Sequence, residues 1–356
     1  MSVRILDNPL VMSATGMISA VGDSAIQTFT SVRAGINRFQ EMPDVYHTLP
    51  DDPDFEDGEP LVASPLYYLA DQRKKKAEPA EWLAYIAGLA FTEMRAVAHL
   101  ELSDLRNTGL FLALPQKRTG WDESIQERFL YHFHNELALD SFLQNRFSYA
   151  GHAGALSLLG QACELLAQGE LKSALVGGVD SYLFRSWLAP LDQDYRIKSS
   201  RSPAGFTPGE GAGFLLLEPD GQPQKRNTAV QARIKGYASG KTVATVPGLD
   251  VSLPETLSPL LDQEPRPPVI ICNLNGETNR MKEWGYAVTR LGTKLGDPVL
   301  LEHPAASFGD IGAASGAVLA GLAPHFLARE HQGSSSAIIW TASDNGEKSA
   351  VLMSVP

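Results

Sequence analysis

Two runs of small residues, each leading into an apolar helix, constrain the fold of this chain more than any other feature. The first, Ser148–Gly154, leads into a predicted helix over Ala153–Gln168, and the second, Phe308–Gly316, leads into a predicted helix over Ala317–Arg329. Apolar residues cover most faces of both helices, which is typical of helices that are buried on all sides. The repeated design predicts two halves related by a pseudo-twofold axis, each directing a positive helix N-terminus at one central site.

Strands and helices are predicted to alternate along the rest of the chain, with Gly and Pro between them, and this indicates an α/β protein. Predicted strands cover Leu10–Ala14, Lys172–Asp180, Phe214–Leu217 and Val269–Cys272, and a further helix covers Pro79–His99. Three polar segments are expected to be solvated or superficial. They are an acidic loop over Glu41–Pro60, the basic cluster Arg73–Lys76, and a strand-like pair, His132 and His134, without metal-ligand spacing to a partner.

Charge and cysteine content restrict the chemistry. The net charge of -11 disfavours attraction to nucleic acid or anionic lipid. No apolar run reaches the length of a membrane span, and Met1–Leu10 lacks the order of a signal peptide, so we expect a cytoplasmic protein. The two cysteines, Cys163 and Cys272, are too few for a thiolate metal cage and allow at most one disulfide.

Five segments in this order resemble the β-ketoacyl synthase branch of the thiolase superfamily. They are Val11–Ser19, Gly160–Glu170, Leu175–Asp180, Pro208–Gly213 and Gly312–Gly316. The resemblance implies a thiolase-like α/β fold with two pseudo-twofold-related βαβαβ halves in five layers. It also implies an N-terminal half over residues 1–225, an abbreviated C-terminal half over residues 226–356, and a homodimer or heterodimer formed through Asn145–Ala150.

The resemblance also defines three positions where catalytic residues are expected. Members of this family condense acyl chains with a cysteine at the start of the first buried helix and two histidines from the second half. Alignment on Gly160–Cys163 places His152 at the cysteine position. The segment that follows the strand Val269–Cys272 places Asn275 at the first histidine, and Gly309, before the Gly312–Gly316 segment, places Asp310 at the second. Because a mid-helix thiol is neither exposed nor near free N–H groups, Cys163 is expected to be packing.

Other parts of the condensing machinery are changed as well. Ala305 replaces a lysine, and Ala342–Gly346 occupies the turn of a Phe-Gly-Phe-Gly-Gly gate. Cys272, near a strand end, is expected to pack within the sheet. The resemblance therefore implies a vestigial site without condensing activity, and we expect neither a cofactor nor a metal.

Three functions remain open from the sequence. The breadth of the changes favours a non-enzymatic binding or assembly module, such as an adaptor or chaperone in a bacterial type VI secretion effector locus. A second alternative is a chain-length-factor-like partner of an active ketosynthase in fatty acid or polyketide synthesis, with a carrier protein as a further partner. A third is a residual hydrolase or decarboxylase in which His152 and Asp310 form an acid/base pair within about 3 Å. The same pair would otherwise be a polar plug of the old site.

Overall fold

The structure is a computed structural model that describes residues 1–47, 58–118, 121–137, 142–242, 251–329 and 334–356. The strands in these ranges are β1 Ser2–Ile18, β2 Gln40–Tyr46, β3 Pro60–Ala63, β4 Thr108–Ala113, β5 Gln144–Ser148, β6 Ser173–Ser181, β7 Glu210–Pro219, β8 Ala232–Lys241, β9 Val269–Cys272, β10 Leu301–Glu302, β11 Ser336–Ala342 and β12 Glu347–Ser354.

The α-helices of the same ranges are α1 Ala25–Arg33, α2 Ala70–Lys75, α3 Pro79–Ala98, α4 Ile125–Leu137, α5 Gly154–Ala167, α6 Arg185–Gln193, α7 Gln222–Lys225, α8 Ser252–Leu261, α9 Thr278–Leu291, α10 Ala305–Phe308 and α11 Ser315–Arg329. Short 3₁₀ turns over Gly151–Ala153 and Gly312–Ala314 lead into α5 and α11. Both buried helices therefore begin with the small-residue runs from which the sequence predicted them.

The main sheet repeats one strand order in two halves. Its order is β10-β9-β11-β12-β8-β1-β7-β6-β4-β5, so β5-β4-β6-β7-β1 in one half corresponds to β10-β9-β11-β12-β8 in the other. In each half the first three of these strands are parallel and the last two are antiparallel. Strands β1 and β8 join the halves in antiparallel orientation. The predicted pseudo-twofold relation is confirmed.

Alternating side chains along the strands build the layers, because successive residues of a strand face opposite sides of the sheet. Phe111 and Ala113 of β4 belong to the core around α5 and α11, whereas Leu110 and Leu112 belong to the core beneath α3 and α4. Strands β9, β11 and β12 do the same in the other half, where the outer core contains α8 and α9. The five predicted layers are thus α3 with α4, one half of the ten-stranded sheet, α5 with α11, the other half of the sheet, and α8 with α9.

The parallel strands of both halves end near the starts of α5 and α11. β5 leads to the turn that starts α5, β6 ends beside the start of α11, and β11 ends beside the start of α5. Crevices at the carboxyl ends of parallel strands are the usual ligand sites of α/β proteins. The fold therefore brings polar residues of both halves to one place. The domain boundary at residues 225/226 stays a prediction; α7 ends at Lys225 and β8 begins at Ala232.

Two predictions about local structure are wrong. The acidic segment Glu41–Pro60 is not loop throughout, because β2 pairs with β3 in a two-stranded sheet, and Met42 and Val45 pack against a small core. Its residues 48–57 lie outside the described residues. His132 and His134 lie in α4 and not in a strand; Phe129 and Phe133, four residues apart, are buried on one face of that helix.

The basic cluster Arg73–Lys76 is only partly solvated. Lys74 and Lys75 are exposed, but the guanidinium of Arg73 lies 3.8 Å from the ring centroid of Phe184 and 5.0 Å from that of Trp82. The ammonium of Lys76 forms ion pairs with Glu81 and Glu136. The prediction of solvated charge is therefore wrong for Arg73, whose planar cation stacks on aromatic faces. No helix within the described ranges is long and apolar enough to cross a membrane.

Candidate functional site

The three residues predicted at the vestigial site lie together between the two halves. His152 is in the 3₁₀ turn before α5, Asp310 lies two residues before the turn that leads into α11, and Asn275 follows β9. Nε2 of His152 is 2.7 Å from Oδ1 of Asp310, and Nδ2 of Asn275 donates to Oδ2 of Asp310 at 2.7 Å. His152 and Asp310 are 2% and 4% exposed, so bulk water does not compete for this contact.

Backbone geometry fixes Asp310 as firmly as its side-chain partners do. Its N–H donates to the carbonyl of Thr207 at 2.8 Å, and its own carbonyl accepts from the N–H of Gly209 at 2.8 Å. Its Oδ1 also accepts from the N–H of Gly312 at 2.8 Å. Gly312 has φ +50°, a conformation that favours glycine. A Cβ at position 209 would lie 2.5 Å from the carbonyl oxygen of Phe308, so Gly209 allows the two backbone segments to pack closely.

Arg280, on α9, completes the environment of the imidazole. Its Nη2 lies 3.4 Å from Nδ1 of His152, and its Nη1 donates to the carbonyl of Ala342. A guanidinium can only donate, so when the imidazole is neutral Nδ1 accepts this contact and Nε2–H is the donor to Asp310. Both ring nitrogens of His152 are thus in contact with protein groups.

Further hydrogen bonds and ion pairs connect the side chains around His152. Asn275 donates to Glu277 at 2.9 Å, and Arg196 donates through Nε to the same carboxylate at 2.8 Å. Arg196 also donates to Oδ2 of Asp344 at 2.8 Å, while Arg280 donates to Oδ1 of Asp344 at 2.8 Å. Asp344 lies in the turn between β11 and β12 that was predicted to replace the family's gate.

The pKa values of the acids reflect these cations. Burial on its own raises the pKa of Asp310, but the charge and hydrogen bond of His152, together with Arg280, hold that pKa far below the ordinary value. Burial also acts upward on the pKa of Asp344, and Arg280, His152 and Arg196 lower it overall. Both carboxyls are therefore ionised at neutral pH. For Arg280, burial acts downward, and Asp344 and Asp310 raise its pKa overall.

One N–H group at each of the two helix starts donates to a side chain from the other half. The N–H of Ala153 donates to Oγ of Ser343 at 2.8 Å, and the N–H of Ala313 donates to Oδ2 of Asp180 at 2.9 Å. Asp180 is paired with Arg118, whose Nη2 is 2.6 Å from the same oxygen. A thioester oxyanion would need such N–H groups to be free to donate. In this arrangement they are taken by the protein itself.

Neither cysteine is placed for nucleophilic chemistry. Cys163 in α5 and Cys272 at the end of β9 have no exposed surface. Burial raises the pKa of Cys163 well above its ordinary value and raises the pKa of Cys272 to about 12. A thiol with such a pKa is almost wholly protonated at neutral pH, and a buried one is inert. The chain has no other cysteine.

Several residues of the site were not predicted from the sequence. They are Arg118, Asp180, Arg196, Glu277, Arg280, Ser343 and Asp344. Asp180 belongs to a segment that carries the resemblance and Asp344 to the turn that replaces the family's gate, and their position at strand ends was the available signal. Arg280 lies in a polar helix and gave no signal. Within the described part of the chain, no three His, Cys, Asp or Glu side chains are grouped to hold a metal ion.

Residues 150–222 match the family described as "Beta-ketoacyl synthase, N-terminal domain". No curated protein matches the chain in sequence. A solved structure of a type II polyketide synthase acyl-carrier protein in complex with its ketosynthase bound to the hexaketide has a TM-score of 0.75 at 15% identity, covering 98% of this chain and 99% of that chain.

Two further solved structures have the same fold. The ishigamide ketosynthase/chain length factor has a TM-score of 0.74 at 15% identity, covering 98% of this chain and 99% of its own. The ketosynthase from module 6 of the bacillaene synthase from Bacillus subtilis 168 has a TM-score of 0.74 at 11% identity, covering 98% and 72%. The match over residues 150–222 includes the start of α5. The chain therefore has the fold of the ketosynthases, and residues 150–222 match the N-terminal domain of that family.

Proposed function

We propose that this protein is a non-catalytic subunit that pairs with an active ketosynthase, in the manner of a chain length factor. One observation carries the proposal: His152, at the start of α5, is held between Asp310 and Arg280 with both ring nitrogens occupied. The position where the resemblance implies a nucleophilic cysteine therefore holds an imidazole that is fixed on both sides by protein groups. Fold alone confers no activity, so the site decides the function.

Condensation and hydrolysis both require groups that this site does not offer. An acyl-enzyme needs a thiolate, and both thiols are buried and protonated. An acyl-imidazole would hydrolyse instead of serving as a stable carrier. A general base needs a lone pair within reach of substrate, and the Nδ1 lone pair of His152 faces the guanidinium of Arg280. These contacts favour the polar plug over the hydrolase or decarboxylase.

The free edge of the sheet supports pairing. β5 ends the strand order of the ten-stranded sheet and hydrogen-bonds only to β4 among the described residues. An unpaired strand edge is a template for another chain. We propose that Asn145–Ala150 forms a twofold contact there, with a second copy or with a thiolase-fold paralogue. The structural likeness to the ishigamide ketosynthase/chain length factor favours the paralogue.

The secretion adaptor has no support in the fold or in the comparisons, so we place it second. A carrier protein remains an alternative partner, since one of the similar structures contains an acyl-carrier protein with its ketosynthase. The net charge of -11 disfavours docking of an acidic carrier directly on this chain. In the pairing that we propose, the active ketosynthase would receive the carrier.

Affinity purification from the native host with mass spectrometry tests the pairing. We expect an active ketosynthase to copurify, and its yield to fall in an Asn145→Lys variant, because a lysine on an edge strand opposes strand addition. Thr289→Lys makes the same charge change on the exposed face of α9 and serves as the control. Recovery of secretion effectors instead of a ketosynthase would replace this proposal with the adaptor.

The lack of catalysis has its own test. Incubation with radiolabelled acyl-CoA or acyl carrier protein should leave this chain unlabelled, because no thiolate is available to accept the acyl group. Labelling at either cysteine or at His152 would overturn the proposal. A His152→Ala variant should retain the copurified ketosynthase and its product profile, whereas loss of product with an intact complex would show that His152 takes part in chemistry.

A further inference from the structure

Arg146 is the charged residue of β5, the strand at the free edge of the ten-stranded sheet. It lies beside Phe111 of β4 in the parallel pairing of the two strands, and its guanidinium is 5.8 Å from the centroid of that ring. Its Nη1 donates to Oε1 of Gln161, on α5, at 3.3 Å. Arg146 therefore lies on the face of the edge strand that is turned toward α5, and it is only partly buried there.

Neither contact neutralises the charge of Arg146. Phe111 offers a ring face and Gln161 an amide oxygen, and no carboxylate among the described residues forms an ion pair with this guanidinium. Other partly or wholly buried arginines do pair with carboxylates, namely Arg118, Arg196, Arg226 and Arg280. A guanidinium without a counter-ion, beside an edge that can add a strand, is placed to pair with a carboxylate of the added chain.

A second copy of this chain would place arginine against arginine. Residues directly opposite each other in an antiparallel pair share a face, so the residue on a twofold axis lies opposite itself. If all of Gln144–Ser148 pairs, that residue is Arg146, and the two Cβ atoms are about 5 Å apart. With the axis at Asn145 or Phe147, the two arginines become diagonal neighbours about 7 to 8 Å apart, which long side chains still span.

We propose that Arg146 selects a heterologous partner, a thiolase-fold chain whose own edge strand presents an Asp or Glu opposite this guanidinium. Like charges that face each other across an interface disfavour the homodimer, and a charge-assisted ion pair favours the mixed dimer. This selection rests on the proposed pairing with a ketosynthase. It adds the residue that decides between that partner and a second copy of the chain.

Affinity purification of the full chain from the native host, with quantitative mass spectrometry, tests the role of Arg146. Arg146→Glu should lower the yield of copurified ketosynthase about tenfold, because it sets two acids against each other, and Arg146→Gln should lower it about threefold. Arg290→Glu makes the same charge change on the exposed face of α9 and should leave the yield unchanged. The partner's edge strand should contain an acidic residue, and replacing that acid with Arg should restore binding to Arg146→Glu.

The outcomes separate this selection from the pairing itself. A ketosynthase recovered equally with the wild type and with Arg146→Glu, or one without an acid in its edge strand, would overturn the role of Arg146 and leave the pairing intact. Absence of a ketosynthase from the wild-type sample would overturn both.

Sedimentation of the isolated full chain tests the discrimination against a second copy. Arg146→Gln removes the opposed charges and should self-associate about tenfold more tightly than the wild type. A wild-type chain that dimerises as tightly as Arg146→Gln would contradict the proposal.

Discussion

The starts of α5 and α11 occupy equivalent places in the two halves, and each is capped by a residue of the other half. Ser343, after β11, accepts from the N–H of Ala153, and Asp180, near the end of β6, accepts from the N–H of Ala313. Strands β6 and β11 are themselves counterparts in the two half sheets. The caps therefore cross the pseudo-twofold axis in both directions, but one is a neutral hydroxyl and the other a buried carboxylate.

This difference shows how one backbone design supports two electrostatic environments. The start of α11 holds two buried carboxylates, Asp180 and Asp310, where the positive end of a helix favours negative charge. At the start of α5, the N–H of Ala153 bonds to the neutral hydroxyl of Ser343. The N–H groups at the start of α11 thus donate to carboxylates, whereas the N–H of Ala153 at the start of α5 donates to a hydroxyl. We expect substitutions at the start of α11 to lower the free energy of unfolding strongly, and equivalent substitutions at the start of α5 to lower it only slightly.

The glycines that begin the two turns provide the largest contrast. Position 312 has φ +50°, and a Cβ there would lie 2.0 Å from Oδ2 of Asp180. In Gly312→Ala the buried Asp180–Arg118 pair must therefore move. We expect a loss of about 4 kcal/mol in the free energy of unfolding, because breaking a buried ion pair and adopting a left-handed conformation both destabilise. Urea unfolding followed by circular dichroism measures it.

Gly151→Ala is the matched control in the other half. There φ is +68°, and the nearest atom to a Cβ would be Oε1 of Gln116 at 3.0 Å, at the end of a flexible side chain. The backbone strain remains and the clash is mild, so we expect about 1 kcal/mol. Equal losses in the two variants would mean that strain alone matters, and that the charged cap does not distinguish the halves.

Asp310 gives the next largest effect. Asp310→Ala leaves the donors of His152, Asn275 and Gly312 without their acceptor, and we expect a loss of about 3 kcal/mol in unfolding free energy. Asp310→Asn keeps one acceptor oxygen and should cost about half as much. Thermal unfolding at neutral pH compares the two, with Asp220→Ala, at an exposed ion pair, as a control that should change little. Similar losses for all three variants would rule out a central role of Asp310.

The sequence predicted the repeated helix starts because both depend on local patterns of small and apolar residues. It predicted one site for His152, Asn275 and Asp310 through the order of the motifs, and in the structure the first and second of these both contact the third. It could not show Arg280, which joins the site from the middle of α9 through contacts 64 and 128 residues away in the chain. Long-range ion pairs leave no periodic signal in a single sequence. The β2–β3 pair was missed because acidic residues outnumber the few apolar ones that pack.

The stability of the protein in acid should depend on the carboxylate of Asp310 near the start of α11. The pKa of Asp310 in the folded chain is lowered by His152 and Arg280 against the upward effect of burial, and an unfolded Asp has a pKa of about 3.9. A depressed pKa contributes stability above the unfolded value, and this contribution is lost as pH falls through the folded one. We expect the unfolding free energy to fall with decreasing pH below about 4, and less steeply in Asp310→Asn. Urea unfolding at a series of acidic pH values checks this, and parallel pH profiles would assign the effect to other carboxyls.

Ser343→Ala provides the smallest effect and tests the neutral cap directly. Removing Oγ leaves the N–H of Ala153 without its partner, and we expect a loss of about 1 kcal/mol, the usual contribution of a neutral capping bond. The ion pairs of Asp344, the next residue, do not involve this hydroxyl and should remain. Equilibrium unfolding at neutral pH measures the loss against that of Gly151→Ala, which strains the same turn without removing the bond. A loss as large as that of Gly312→Ala would contradict this expectation. It would mean that the hydroxyl cap of α5 and the carboxylate cap of α11 differ in charge but contribute equally to the free energy of unfolding.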